Sequence, residues 1–173
     1  MQSSVTAVGN GSPDLLLVQV PFGHPDAIRL INAVQQEYVA RYGGMDETPL
    51  EHAMFDPPQG SFFVGYLGDA VVATGAWRRR DDVMAMDSTS TAEIKRMYVA
   101  PAGRGRGVAR AMLVHLEATA SAAGAEVAIL ETGIEQPEAI ALYESSGYVP
   151  VPKFGFYRDS DLSRCYGKRL SSD

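Results

Sequence analysis

The chain has 173 residues, 46% of them apolar and 21% charged, with a formal net charge of −6. That length carries one domain with a real core and leaves too little for two, and the composition excludes a disordered, fibrous or membrane-embedded chain. The acidic balance argues against a nucleic-acid partner, which asks for a basic face, and no apolar run approaches the roughly 20 residues of a membrane span.

Residues 1–13 lack the basic and apolar regions of a signal peptide and read as a disordered lead ahead of a single domain at 14–173. A lone cysteine, Cys165, forms no internal disulfide and suits a reducing compartment, so the cytoplasm is the expected location. "DLLLVQV" at 14–20 predicts a strand closed by Pro21. In the following "HPDAIRLINAVQQEYVARYGG", Ile28, Ile31, Val34, Gln35, Tyr38 and Val39 recur at helical spacing, and Gly43 and Gly44 supply the stop. The turn-rich "MDETPLEHAMFDPPQG" has room for one short helix in "TPLEHAMF". "SFFVGYLGDAVVATGAWRR" predicts a hairpin turning at Gly68 and Asp69, and "RDDVMAMDSTS" a loop.

"TAEIKRMYVA" alternates with period 2, which puts Ile94, Arg96 and Tyr98 on one face and Glu93, Lys95, Met97 and Val99 on the other. From Gly107 the apolar positions Val108, Ala109, Met112, Leu113, Leu116 and Ala120 make one helical stripe that Gly124 ends. "EVAILET" predicts a buried strand, "QPEAIALYESSGY" a helix with Pro137 in its first turn, and Ser163 to Leu170 a final strand. The order of elements predicts a mixed α/β domain without internal repeats.

Between the fourth predicted strand and the helix after it stands "VAPAGRGRGVARAML", residues 99–113. A helix that begins directly after a strand points unpaired N–H groups and the positive end of its dipole outward. Gly105 and Gly107 let a phosphate approach the backbone, and Arg104 and Arg106 add charged donors. Taken alone, the same residues also read as a plain tight turn with solvated arginines. No Gly-Lys-Ser/Thr follows, which sets aside a nucleotide P-loop, and Arg110 stands where a dinucleotide fingerprint needs a small residue.

"RGRGVA" at 104–109 resembles the Gln/Arg-x-x-Gly-x-Gly/Ala signature of the GCN5-related N-acetyltransferase (GNAT) superfamily, and "ETG" at 131–133 with "FGFYRDSDLSRCYGK" at 154–168 resembles its bacterial members that act on small molecules. "AEIKRMYVAP" before it and "AIALYESSGY" after it resemble the family's central strand and second signature helix. The resemblance implies a mixed sheet of about six to seven strands, splayed at the central strand and flanked by about four helices. It implies acetyl-CoA as cosubstrate, with the pyrophosphate on Arg104, Gly105, Arg106, Gly107, Val108 and Ala109. The backbone of Met97, Tyr98 and Val99 would then pair with the pantetheine and donate to the thioester oxygen. Where the family often has Asn, seven residues before the helix tyrosine, this chain has Gln136, a departing cofactor contact.

Direct acetyl transfer to an amine needs a base, an oxyanion donor and an acid for the thiolate. Tyr143 occupies the family's acid position and also lies on an apolar face with Ala139, Ile140 and Leu142. Glu93 is the candidate base, with pairing to Lys95 or Arg96 as its other reading. His24, His52 and His115 have no metal-ligand spacing and no metal is expected; Arg78, Arg79 and Arg80 read as a solvated hairpin end, and Cys165 as a small core residue. The acceptor, a small-molecule amine, is expected among the first helix, residues 41–60 and the last strands, where Arg41, Tyr42, Glu131, Tyr157 and Arg158 are available. A protein or peptide acetyltransferase and a CoA-binding regulatory module without turnover are the alternatives. Dimers are common in the family, so a homodimer is compatible with the resemblance.

Overall fold

The computed structural model describes residues 5–8 and 14–171. Eight strands form one sheet in the order β1-β2-β3-β4-β5-β6-β8-β7, where β1 is Val5–Val8, β2 Leu15–Gln19, β3 Gly60–Leu67, β4 Ala70–Arg79, β5 Thr91–Val99, β6 Val127–Gly133, β7 Val149–Pro150 and β8 Ser163–Arg169. Every pairing is antiparallel except β5 with β6. Three α-helices accompany it, α1 Pro25–Tyr42, α2 Val108–Ala122 and α3 Pro137–Ser145, with short 3-10 turns at His52–Phe55 and Pro101–Gly103. The expected mixed α/β class is observed, with a fourth helix replaced by these turns.

Of the lead expected at 1–13, only Val5–Val8 is among the described residues, where it pairs with β2 from Val5 opposite Val18 to Val8 opposite Leu15, and the rest of that expectation lies outside the described residues. The two-residue β7 was too short to give any periodic signal.

Successive residues of the inner strands serve opposite faces, which is why β3 and β4 are apolar nearly throughout. Phe63, Val72, Trp77 and Ile94 pack with Met112, Leu113 and Leu116 of α2, each a large side chain whose burial is worth about 1.5–3 kcal/mol. Phe62, Val64 and Ala76 pack with Ala27 of α1 and with Phe55. Within the described residues no helix is long and apolar enough to cross a membrane.

Two irregularities in β5 decide where chemistry can happen. Opposite β4, Ala76 pairs with Lys95 and Thr74 with Tyr98, so Arg96 and Met97 together face Gly75. Arg96 adopts a φ of 56°, and its carbonyl accepts the Thr74 hydroxyl at 2.7 Å. Such a bulge inserts one residue and inverts the alternation beyond it. The expected shared face of Glu93, Lys95, Met97 and Val99 is therefore corrected. Met97 and Val99 pack under α2 with Ile94, whereas Tyr98 packs on Leu30 and Val34 of α1, on the side of Glu93 and Lys95.

On its other edge β5 pairs with β6 only at Thr91–Val127, Ala92–Ala128 and Glu93–Ile129. Beyond Ile129, β6 stays with β8 as far as Gly133 opposite Ser163, while β5 stays with β4 as far as Val99 opposite Ala73. The central sheet is splayed, as the sequence resemblance implied.

Candidate active site

The wedge between the parted strands leads at one end to the glycine turn. Gly105 and Gly107 take φ values of 76° and 73°, a region open to glycine at little cost, and a side chain at either would meet nothing within 4 Å. Gly107 is the N-cap of α2 and offers no side-chain cap. Among the described residues, no acceptor is present for the N–H groups of Gly105, Arg106, Gly107, Val108 or Ala109. They form a cluster of outward donors at a helix N-terminus, with the dipole adding its own attraction for an anion. The two arginines of the turn differ. Arg104 gives Nη2 to Glu37 at 2.5 Å and Nε to the Val99 carbonyl at 3.0 Å, whereas Arg106 is exposed and makes no ion pair with any described residue.

At the other end the wedge opens into a cleft of about 380 Å³. Tyr38 and Tyr42 of α1, residues 43–48, Lys95 of β5, residues 131–133 of β6 and Tyr157 line it. Its floor is tied together by hydrogen bonds. The Glu131 carboxylate accepts from the Ser163 hydroxyl at 3.0 Å and the Tyr157 N–H at 3.4 Å, and a Cβ on Gly155 would collide with it. The Glu47 N–H donates to the Tyr157 hydroxyl at 2.6 Å, joining the two loops across the opening. Asp46 accepts from Arg96 at 3.0 Å and from the Thr48 hydroxyl at 2.6 Å. Burial pushes its carboxyl up, but Lys95, the Thr48 bonds and Arg96 together hold it below its ordinary value.

Tyr143 is buried on α3 and packs edge-on against Tyr148, ring centroids 5.7 Å apart. Burial, and then the neighbouring Tyr38, push its phenol far above the usual tyrosine value. Tyr38 itself is pushed up to about 12 by burial and by Asp46. Both phenols therefore stay protonated at any working pH. Gln136 lines the cleft and donates to the Tyr42 hydroxyl at 3.4 Å.

Glu93 is in a different position from the one expected of a base. Its carboxylate is 2% exposed and lies 2.8 Å from Arg78 and 2.7 Å from Arg80, and it does not line the cleft. The same contacts correct the reading of residues 78–80 as a solvated hairpin end. Arg78 and Arg80 turn back into the protein because a buried carboxylate needs charged partners.

The profile of the Acetyltransferase (GNAT) family matches residues 30–148. This chain belongs to the GNAT family. A GNAT relative from Azospirillum brasilense, described as an "IAA acetyltransferase", is 36% identical over 114 residues, 65% of this chain and 70% of that one. Among solved structures, a Klebsiella pneumoniae protein assigned as an acyl-CoA N-acyltransferase superposes with a TM-score of 0.70 at 27% identity, over 90% of this chain and 97% of that one. The GNAT domain of S. lividans PAT superposes with a TM-score of 0.67 over 97% of both chains; at 20% identity it shows the fold alone. The protein is an N-acetyltransferase.

Within this GNAT site, the sequence reading named Tyr42, Glu131 and Tyr157 as available to an acceptor, and all three line the cleft. Arg41 does not, because Glu138 holds it at 2.6 Å and the Glu135 carbonyl at 3.0 Å. Among the described residues, Arg158 reaches only the Gly155 carbonyl, at 3.4 Å. Cys165 is buried, as expected of a core residue, and burial pushes its thiol up. Tyr38, Asp46 and Lys95 were not singled out. The helical register of Tyr38 beside Tyr42 was a usable signal; nothing local signalled Asp46 or the side to which Lys95 turns.

Proposed function

We propose that this GNAT enzyme transfers an acetyl group from acetyl-CoA directly to the amine of a small molecule. The observation that carries the reading is the parting of β5 from β6 after Glu93, on the same strand that ends in a turn of unpaired N–H groups. A pyrophosphate fits the turn, where no side chain at 105 or 107 bars its approach, and the exposed Arg106 supplies a cation. Met97, Tyr98 and Val99, beyond the last pair with β6, offer backbone groups to the pantetheine and an N–H to the acyl oxygen. Acetyl-CoA, when bound, supplies an acyl group activated as a thioester.

Tyr143 serves as hydrogen-bond donor and proton source for the departing sulfur. Its hydroxyl makes no hydrogen bond with a described residue, so it is available. The burial that raises the phenol also raises a thiol placed beside it, which keeps the two within reach of proton transfer. Glu93 takes no part as base in this reading, because two guanidiniums hold its carboxylate away from the cleft. The cleft between two bridged loops supports a small acceptor, as does the likeness to the "IAA acetyltransferase".

Calorimetry with CoA tests the turn. Arg106→Glu is expected to weaken binding at least tenfold, and tight binding by that variant would remove the phosphate assignment. Thiol release over a panel of small amines and peptides tests the transfer. Release with small amines is expected, and release with peptides alone would move the enzyme to the protein-modifying class.

A further inference from the structure

The cleft contains a basic side chain with no direct hydrogen-bonding partner among the described residues. Lys95 is 9% exposed, and what it exposes faces the cleft it lines. It makes no hydrogen bond or ion pair with any described residue. Five neighbouring arginines are engaged in ion pairs with described residues. Arg96 is on Asp46 at 3.0 Å, Arg41 on Glu138 at 2.6 Å, Arg104 on Glu37 at 2.5 Å, and Arg78 and Arg80 on Glu93. Asp46 is its nearest opposing charge, and Lys95 helps to hold that carboxyl down, but the direct hydrogen bonds to the Asp46 oxygens come from Arg96 and Thr48. A largely buried amine that lines the cleft and makes no direct hydrogen bond keeps its donors available to an anion that arrives from the cleft.

We propose that the acceptor carries a carboxylate beside its amine, as a free amino acid does, and that Lys95 receives that carboxylate. The inference rests on the amine-acetylation reading above and names its substrate class. The rest of the cleft is consistent with a zwitterion. Glu131 of β6 and the exposed Glu47 add negative charge to the same cleft, which favours the acceptor's ammonium on approach. Tyr38, Tyr42 and Tyr157 wall the space between the opposite charges with aromatic surface that suits the body of a small molecule. A simple monoamine or a polyamine would leave Lys95 unmatched and bring a second cation toward it.

The test is calorimetry on the full chain in the presence of CoA, with free amino acids each set beside the amine that lacks its carboxyl group, such as phenylalanine beside 2-phenylethylamine. At least one amino acid is expected to bind about tenfold or more tightly than its decarboxylated partner, the range of a charge-assisted hydrogen bond. Lys95→Gln should erase that difference and Lys95→Arg retain much of it, with CoA affinity in each variant showing that the fold is intact. The proposal falls if no amino acid outbinds its partner amine, or if Lys95→Gln still discriminates. In turnover, Lys95→Gln should raise KM for the amino acid more than it alters kcat. A loss shared equally by the decarboxylated amine would assign Lys95 to the acyl oxygen and overturn the proposal. The two readings separate cleanly. Lys95-dependent binding without thiol release from any amine would sustain the carboxylate site and defeat amine transfer, while release with decarboxylated amines alone would do the reverse.

Discussion

Replacing Glu93 by Gln should cost stability rather than chemistry. The carboxylate oxygen Oε1 accepts Arg78 Nε at 2.9 Å, Arg78 Nη2 at 2.8 Å and Arg80 Nη1 at 2.7 Å. All three side chains are shielded, with exposures of 2% for Glu93, 11% for Arg78 and 17% for Arg80. Removing one partner of a buried ion pair costs about 3–5 kcal/mol, because the remaining charge is left uncompensated. Gln keeps a neutral acceptor in place and Arg80 keeps Asp82 at 3.0 Å, which argues for the low end, about 3 kcal/mol. For a chain of this size about 3 kcal/mol corresponds to a fall in Tm of roughly 6–12 °C. Thermal melts of wild type and Glu93→Gln read that fall, and thiol release across pH reads the chemistry at a temperature where both are folded. The acid limb of kcat/KM should be unmoved. An unchanged Tm with kcat reduced about 10²–10⁴-fold would mean that Glu93 is a base after all and that the paired geometry is misleading.

Tyr143→Phe should lower kcat by about 10²-fold with little change in Tm, since its hydroxyl has no hydrogen-bond partner to lose among the described residues; undiminished thiol release would remove the acid. Gly105→Ala places a Cβ in open space but at a φ of 76°, so it should cost about 1–2 kcal/mol of local strain, read as a small fall in Tm, together with weaker CoA binding by calorimetry. The Asp46 carboxyl is held below its ordinary 3.8, so its contribution is present above that value and is lost as the pH falls through its lowered one. Wild type should therefore exceed Asp46→Asn in Tm at pH 6, with the gap closing on acidification below about pH 4.

What could be read from the sequence was what depends on neighbours in sequence. The stripe from Val108 to Ala120 defined α2, and Gly105 and Gly107 marked the turn before it, because helical period and positive φ are local properties. The faces of β5 could not be read in this way. Its alternation looks uninterrupted from Thr91 to Val99, and the extra residue becomes visible only when Gly75 on β4 is set opposite both Arg96 and Met97. The misreading of residues 78–80 has the same origin: three consecutive arginines look solvated until a strand fifteen residues on delivers Glu93 beneath them. Cleft residues such as Asp46 and Lys95 come from segments about fifty positions apart, joined through Arg96, and no local pattern connects them.

On the proposed reading, the bulge lets one strand serve two substrates. Had β5 kept its alternation beyond Lys95, Met97 and Val99 would turn toward α1 and Tyr98 would be driven into the apolar packing under α2. Instead Met97 and Val99 rest against the α2 core, which anchors the strand where its backbone has lost β6 as a partner. Arg96, the residue that absorbs the extra length, reaches across to Asp46 and fixes the loop that closes the cleft. The same irregularity thus holds the open backbone rigid on the cofactor side and neutralises Asp46 on the acceptor side. Beside Asp46, Lys95 faces the cleft with no direct partner among the described residues, and on the proposed reading it meets the incoming carboxylate.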